Sequence, residues 1–291
     1  MKGILIGVLF ALLWASASVA TKIGLKTAEP FVLTNTRFFL AALLMLTWAH
    51  LVRRQPFPKT AEYKPLLIYG LLNASVYLGV FSWAMRYATA GLGSLSVALN
   101  PLLIAIISAA FLKKKVSASI WLGLFLGIIG VGVVTFPVLR NSMATPLGVS
   151  LLFASMLSYS FGTVYFSKIN WSIPRLVING WQVLFGALTL LPVTLSSTDW
   201  NSHQWDFSFW GAVAWLAVPV SIGAVQLWLY LLHNDPVRAA LWLYLCPVIG
   251  FFYAWWLVGE PVSLYTGVGT LLVIWGLYIG QRKAQPVSSD R

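Results

Sequence analysis

Acidic side chains are scarce in this sequence. It has 7 Asp and Glu against 19 Lys and Arg, and charged residues of both signs make up 9% of the chain. A soluble domain carries roughly a quarter. Long polar stretches are missing too. The widest gaps between apolar runs are residues 53–64 and 196–207, too short for a folded domain. One cysteine, Cys246, excludes an internal disulfide. There is no Asp-rich motif, no His cluster and no metal-ligand spacing, so hydrolytic and metal chemistry lack their groups, and no cofactor is called for. A membrane-embedded lipid-modifying enzyme therefore ranks last among the function classes.

What is present is apolar: 59% of the residues are hydrophobic, with 15 Trp, 17 Phe and 11 Tyr. Helices this apolar must be buried on every side, and only a lipid solvent offers that to nearly all of them at once. Barrel strands would show short alternating segments, whereas these runs are long and continuous. The expected fold is an all-α integral membrane protein of ten transmembrane helices. The spans are read at about 3–22, 31–52, 65–86, 90–112, 117–138, 146–167, 175–195, 208–232, 237–258 and 262–281, each near the ~20 residues that cross the hydrocarbon. Met1 to Ala20 is read as the first of them rather than a cleaved leader.

The net charge of +12 does not point to nucleic acid, because the basic residues sit in the short gaps between spans. Lys22, Lys26, Arg86 and Arg140 fall on one face, Arg37 falls within a span, and the other fourteen share the face of the two termini. That bias expects both termini in the cytoplasm.

Sliding the second half back by 146 residues lays Pro247 on Pro101, Val262-Ser263 on Val116-Ser117, Gly269 on Gly123 and Gly276 on Gly130. Matching Pro and Gly positions are punctuation that apolar composition alone does not supply. A unit of five spans is odd, so its second copy enters from the opposite face. The expectation is two inverted five-helix repeats, 1–141 and 142–283, followed by a cytoplasmic tail, 284–291, with a solute site between the repeats.

Several stretches resemble the drug/metabolite transporter superfamily, in particular its ten-helix EamA-type exporters. They are Gly7 to Ser16 with Trp14, Thr36-Arg37-Phe38-Phe39-Leu40-Ala41-Ala42, Tyr77 to Tyr87 with Ala90, Asn100-Pro101, and Leu257-Val258-Gly259-Glu260-Pro261-Val262-Ser263. The resemblance runs in order through both halves. It implies a bacterial-type inner-membrane carrier of amino acids or related metabolites, acting outward. One departure stands out: where the first repeat would match Gly259-Glu260, this chain has Lys113-Lys114-Lys115, read as a topogenic cluster.

No acid falls at a predicted midplane, which argues against a carboxylate-based proton or sodium carrier and for facilitated diffusion or exchange. Candidate solute-binding residues are polar or aromatic groups at depth: Tyr77, Asn100, Tyr159, Gln226 and Tyr244, each needing a partner in a dry interior. Trp14, Trp83 and Trp242 join them, lying on helices that resemble the family's cavity-forming ones. Pro101 and Pro247 remove a backbone bond from paired helices and are candidate hinges. Arg37 is read first as reaching the headgroups from a span end, and second as attracting a substrate carboxylate. The Gly123, Gly127, Gly130 stretch is read as a packing face, either within the chain or for a homodimer. The expected partners are thus a small-molecule solute and the bilayer. Nucleotide-sugar, sugar-phosphate or drug transport within the same superfamily is the alternative, although phosphate would call for more basic groups than Arg37 alone.

Overall fold

In hydrocarbon every backbone N–H and C=O must be satisfied inside the protein, and a helix does this segment by segment. The computed structural model describes residues 2–112, 118–141, 143–234, 239 and 242–282, and among these there is no strand. Ten transmembrane helices follow one another through short connections. They are α1 (Lys2–Gly24), α2 (Pro30–Leu46, continued by a π-helical turn Thr47–Val52), and α3 (Thr60–Gly70, a π-helical turn Leu71–Val76, then Tyr77–Ala84). Then come α4 (Ala90–Ser96, a tighter turn Val97–Leu99, then Asn100–Leu112) and α5 (Ala118–Arg140). The second half has α6 (Pro146–Lys168), α7 (Arg175–Ser197), α8 (Phe207–Trp215, a π-helical turn Leu216–Ala224, then Val225–Asn234), α9 (Leu245–Tyr253, continued by Ala254–Val258) and α10 (Leu264–Arg282). Lys113–Lys115 and the tail 284–291 lie outside the described residues.

Local chemistry sets the helix starts. Thr89 Oγ1 accepts from Leu92 N at 3.1 Å to open α4, and Thr145 Oγ1 accepts from Gly148 N at 3.1 Å to open α6, where Pro146 takes the first turn. Asp206 Oδ1 accepts from Phe209 N at 2.8 Å to open α8. Each cap satisfies a donor that has no partner within its own helix.

The 146-residue shift maps two pairs of the structure's irregularities onto one another. The π-helical turn of α3 falls within that of α8, and the break before Asn100-Pro101 falls on the break before Cys246-Pro247. The best marker is the seam between α5 and α10. A methyl on Gly130 would come within 2.6 Å of Gly269 O, and one on Gly276 within 2.6 Å of Gly123 O. These two contacts are images of each other under the shift, and they run antiparallel. The halves are therefore inverted repeats, and the glycine stretch serves contact between them.

Gly130→Leu and Gly276→Leu should each force the seam apart and cost roughly 1–3 kcal/mol or more, because backbone on the far side cannot yield as a side chain can. Gly127, with nothing within 4 Å of an added methyl, should accept Ala. Melting temperatures in detergent for the three variants check this; an unaffected Gly130→Leu variant would show that the seam is not packed as described.

Candidate functional site

A cavity sits where the two repeats meet. Trp14, Ala15, Ala17, Ser18 and Thr21 of α1 line it, with Arg37 of α2, Tyr77, Leu78 and Phe81 of α3, and Gly93, Ser94 and Val97 of α4. The second repeat adds Val220 and Val225 of α8 and Cys246 of α9. No acidic residue is among the described residues of the lining. Its free volume is about 30 Å³. Small-molecule sites occupy roughly 300–1,000 Å³, so the walls must part before a solute enters.

Trp14 and Tyr77 of the lining belong to an aromatic cluster that packs behind it. Tyr159 is fully buried at its centre, with ring centroids 4.7 Å from Tyr77, 6.0 Å from Trp14 and 6.0 Å from Trp228. Phe10 closes the group, 5.4 Å from Trp14 and 5.3 Å from Trp228. These separations are those at which tilted and offset rings attract. Tyr159 Oη and Trp228 Nε1 are buried with no hydrogen-bond partner among the described residues.

Arg37 is the charged group. It is 3% exposed and stands two turns inside α2, counting from Pro30. Its Nε and Nη2 both donate to Ser221 Oγ, at 3.3 and 3.1 Å, and its Cζ lies 5.3 Å from the Phe38 ring centroid. The Ser221 carbonyl accepts from Asn179 Nδ2 at 2.9 Å, Asn179 Oδ1 accepts from Gln182 Nε2 at 3.0 Å, and Gln182 Oε1 accepts from Asn73 Nδ2 at 3.3 Å. The chain of amides joins the π-helical turn of α3 to that of α8 through α7. It fixes the serine that holds the guanidinium.

Beyond Thr21 the helix ends are laced together. Lys22 Nζ donates to Met85 O and Ala88 O at 2.8 and 2.7 Å. Gly259, with φ of 74°, takes the left-handed turn that glycine adopts without strain. This brings Glu260 back so that its carboxylate accepts from Ala90 N at 2.6 Å and Gly91 N at 2.9 Å. Glu29 pairs with Arg86 at 2.5 Å and accepts from Ser202 Oγ at 3.1 Å. Thr27 Oγ1 donates to Asp206 Oδ1 at 3.0 Å, and Glu29 N donates to His203 Nδ1 at 3.3 Å. Most of these bonds cross from one repeat to the other and close the cavity at this end.

A family model described as the EamA-like transporter family matches residues 1–136 and again 146–280. The chain belongs to this family. It is 25% identical to an uncharacterized transporter of Synechocystis over 94% of this chain and 88% of that protein. It is 27% identical to YedA of Escherichia coli K12, an uncharacterized inner membrane transporter, over 98% of this chain and 96% of that one. Against YoaV of Bacillus subtilis, an uncharacterized transporter, the identity is 22% over 96% and 97%. A solved crystal structure superposes with a TM-score of 0.68 at 20% identity, covering 96% of each chain, which shows the fold. The protein is thus a multi-pass membrane transporter.

Of the residues expected at this transporter's site, Trp14, Tyr77 and Arg37 line the cavity, and Tyr159 packs behind Trp14 and Tyr77 without lining it. The first reading of Arg37 is corrected: a side chain this buried, this far from the helix end, does not reach headgroups. Trp83 points the other way, 36% exposed and packed 6.3 Å from Phe31, while its neighbour Ser82 faces inward and accepts from Thr34 Oγ1. Asn100 is fully buried, its Oδ1 3.4 Å from Ser160 Oγ and its Nδ2 without a partner among the described residues, but it does not line the cavity. Gln226 Nε2 donates to Arg175 O at 3.4 Å, toward the start of α7. Trp242 lies over Gly7 of α1, and Tyr244 is half-buried against the same core. Pro101 and Pro247 stand just inside the restarts of α4 and α9, where the missing N–H is harmless.

The sequence reading missed Phe10, Trp228, Ser221 and Cys246 as site residues. The signal available for Ser221 was its place under the repeat, where Ser75 is its counterpart at the matching π-helical turn.

Burial pushes the His203 imidazole below its ordinary value, against the pull of Glu29 and Asp206. The fold therefore prefers the neutral ring, whose Nδ1 accepts from Glu29 N. A base held neutral when folded but free to protonate when unfolded loses stability as pH falls through about 6.5. Melting temperature should drop between roughly pH 7 and pH 5, and His203→Gln should flatten that part of the profile. An unchanged slope in the variant would assign the effect elsewhere.

Proposed function

We propose that the protein moves small organic metabolites, amino acids including aromatic ones foremost, outward across a bacterial-type inner membrane by alternating access between its inverted repeats. The observation behind this reading is the cavity itself, which draws its walls from both repeats, carries Trp14, Tyr77 and Phe81, and has no carboxylate among the described residues of its lining. Flat rings stack on Trp14 and Tyr77, and near-equivalent halves can exchange conformations at little net cost. Without a lining carboxylate to carry a proton, the cycle is facilitative or an exchange. Sugar phosphates fit less well, since Arg37 is the one basic residue in the described lining. The basic residues favour cytoplasmic termini.

Proteoliposomes loaded with unlabelled amino acid should accumulate labelled amino acid by counterflow, and collapsing a pH gradient should leave the rate within about twofold. Transport that stops with the gradient would overturn the uncoupled cycle. Absence of counterflow with aromatic, small polar and phosphorylated solutes alike would overturn the solute class. Reporter fusions at the two ends should both signal the cytoplasmic side.

A further inference from the structure

We infer that Arg37, held by Ser221, is a carboxylate-binding subsite in the transport cavity, so that the solute class is a small monocarboxylate with an apolar or aromatic body. This rests on the cavity being the transport site and adds the group that selects among solutes.

An arginine in the middle of a membrane protein normally has a countercharge. Removing a cation from water costs several kcal/mol unless an anion or a full set of hydrogen bonds repays it. Arg37 has neither. The one ion pair among the described residues is Arg86–Glu29, and no acid approaches Arg37. Two of the five N–H groups of a guanidinium go to a single hydroxyl, Ser221 Oγ. The other three find no acceptor among the described residues, and the side chain borders the cavity beside Tyr77 and Trp14. The amide chain behind Ser221 holds the fork in place from the far side, which leaves the cavity as the direction in which charge is unmet.

The repeat offers an internal comparison. Under the 146-residue shift Ser221 answers to Ser75, while the buried faces of α2 and α7 match at a shift of 145, where Arg37 answers to Gln182. The α2–α7 pairing thus packs with a neutral, hydrogen-bonded amide at one image position and a cation at the other. The cation is an addition to the architecture and not a requirement of it. One guanidinium matches one carboxylate through two parallel N–H···O bonds. A phosphate dianion would need a second cation, and the described lining has none.

Cys246, the single cysteine, supplies a native probe because it borders the same cavity. Alkylation by N-ethylmaleimide can be followed in the full-length protein in proteoliposomes with phenylalanine, phenylpropionate, phenethylamine or phenyl phosphate present. The two carboxylates should slow alkylation and phenethylamine should not. Arg37→Gln should raise the half-protecting carboxylate concentration by about 30-fold or more, and Arg37→Lys, which keeps the charge and loses the fork, by about tenfold. Arg37→Met should raise the unliganded melting temperature, because it removes a buried cation without orphaning an acid; a merely structural arginine would do the opposite.

Equal protection by phenethylamine, or full carboxylate protection in Arg37→Gln, would overturn the subsite while leaving a transporting cavity. Stronger protection by phenyl phosphate would overturn the monocarboxylate class. Protection by no solute in a protein that shows counterflow would overturn both the subsite and the placing of the transport site. If Arg37→Gln fails to fold, the Arg37→Lys comparison decides the same question.

Discussion

Each backbone amide in this chain must find its partner without water, and most of the architecture answers that demand. Helices meet it along their length. Where a helix starts or is interrupted, some other group must step in: Thr89, Thr145 and Asp206 at three starts, and Glu260 from the opposite repeat at the opening of α4. Four of the interruptions are paired, while the π-helical turns Thr47–Val52 of α2 and Ala254–Val258 of α9 have no image. Those in α3 and α8 stand at image positions, as do those in α4 and α9, and all four helices contribute to the cavity lining. Departures from the regular helix are a common feature of working sites, because they re-aim side chains and free backbone groups.

The two-fold relation explains what is shared between the halves, and its violations show what is particular to this protein. Asn100 and Cys246 answer to one another under the shift, one an amide with an unmet donor and the other a thiol facing the cavity. Ser82 answers to Trp228, so behind the lining one half has a hydroxyl bonded to Thr34 where the other has an indole in the aromatic cluster. The cavity is consequently asymmetric inside a symmetric frame, which is what a site for an asymmetric small molecule requires.

Much of the fold was legible in the sequence. Hydrophobic runs placed nine of the ten spans to within about five residues, because a bilayer imposes one length on every crossing and charge marks the ends; the ninth, read from 237, begins among residues outside the described ones, and α9 is described from Leu245. The repeat and its hand followed from Pro and Gly positions. The site was legible only in part. Trp14, Tyr77 and Tyr159 emerged as deep aromatic groups, but depth says nothing about which way a side chain faces. The π-helical turn Leu71–Val76 carries more residues per turn than an α-helix, so it rotates the phase of everything after it; Trp83 was assigned inward on that shifted helix and faces out, with Ser82 inward instead. Arg37 was misjudged for a related reason. Its distance from the sequence's apolar boundary suggested a surface anchor, whereas the loops carrying Arg86 and His203 bury that end of α2.

The seam between α5 and α10 joins the repeats at two points, and the points are seven residues apart on each helix. Seven residues are two full turns, about 10.5 Å. Two dowels so spaced fix both the offset and the roll of one rod against the other: slippage by a turn would unseat one pair, and rotation would swing bulk into the other. The only freedom left to this joint is a slight scissoring about the pinned stretch. Larger displacement between the halves has to be taken up by the other eight helices, whose contacts rest on side chains that can change rotamer.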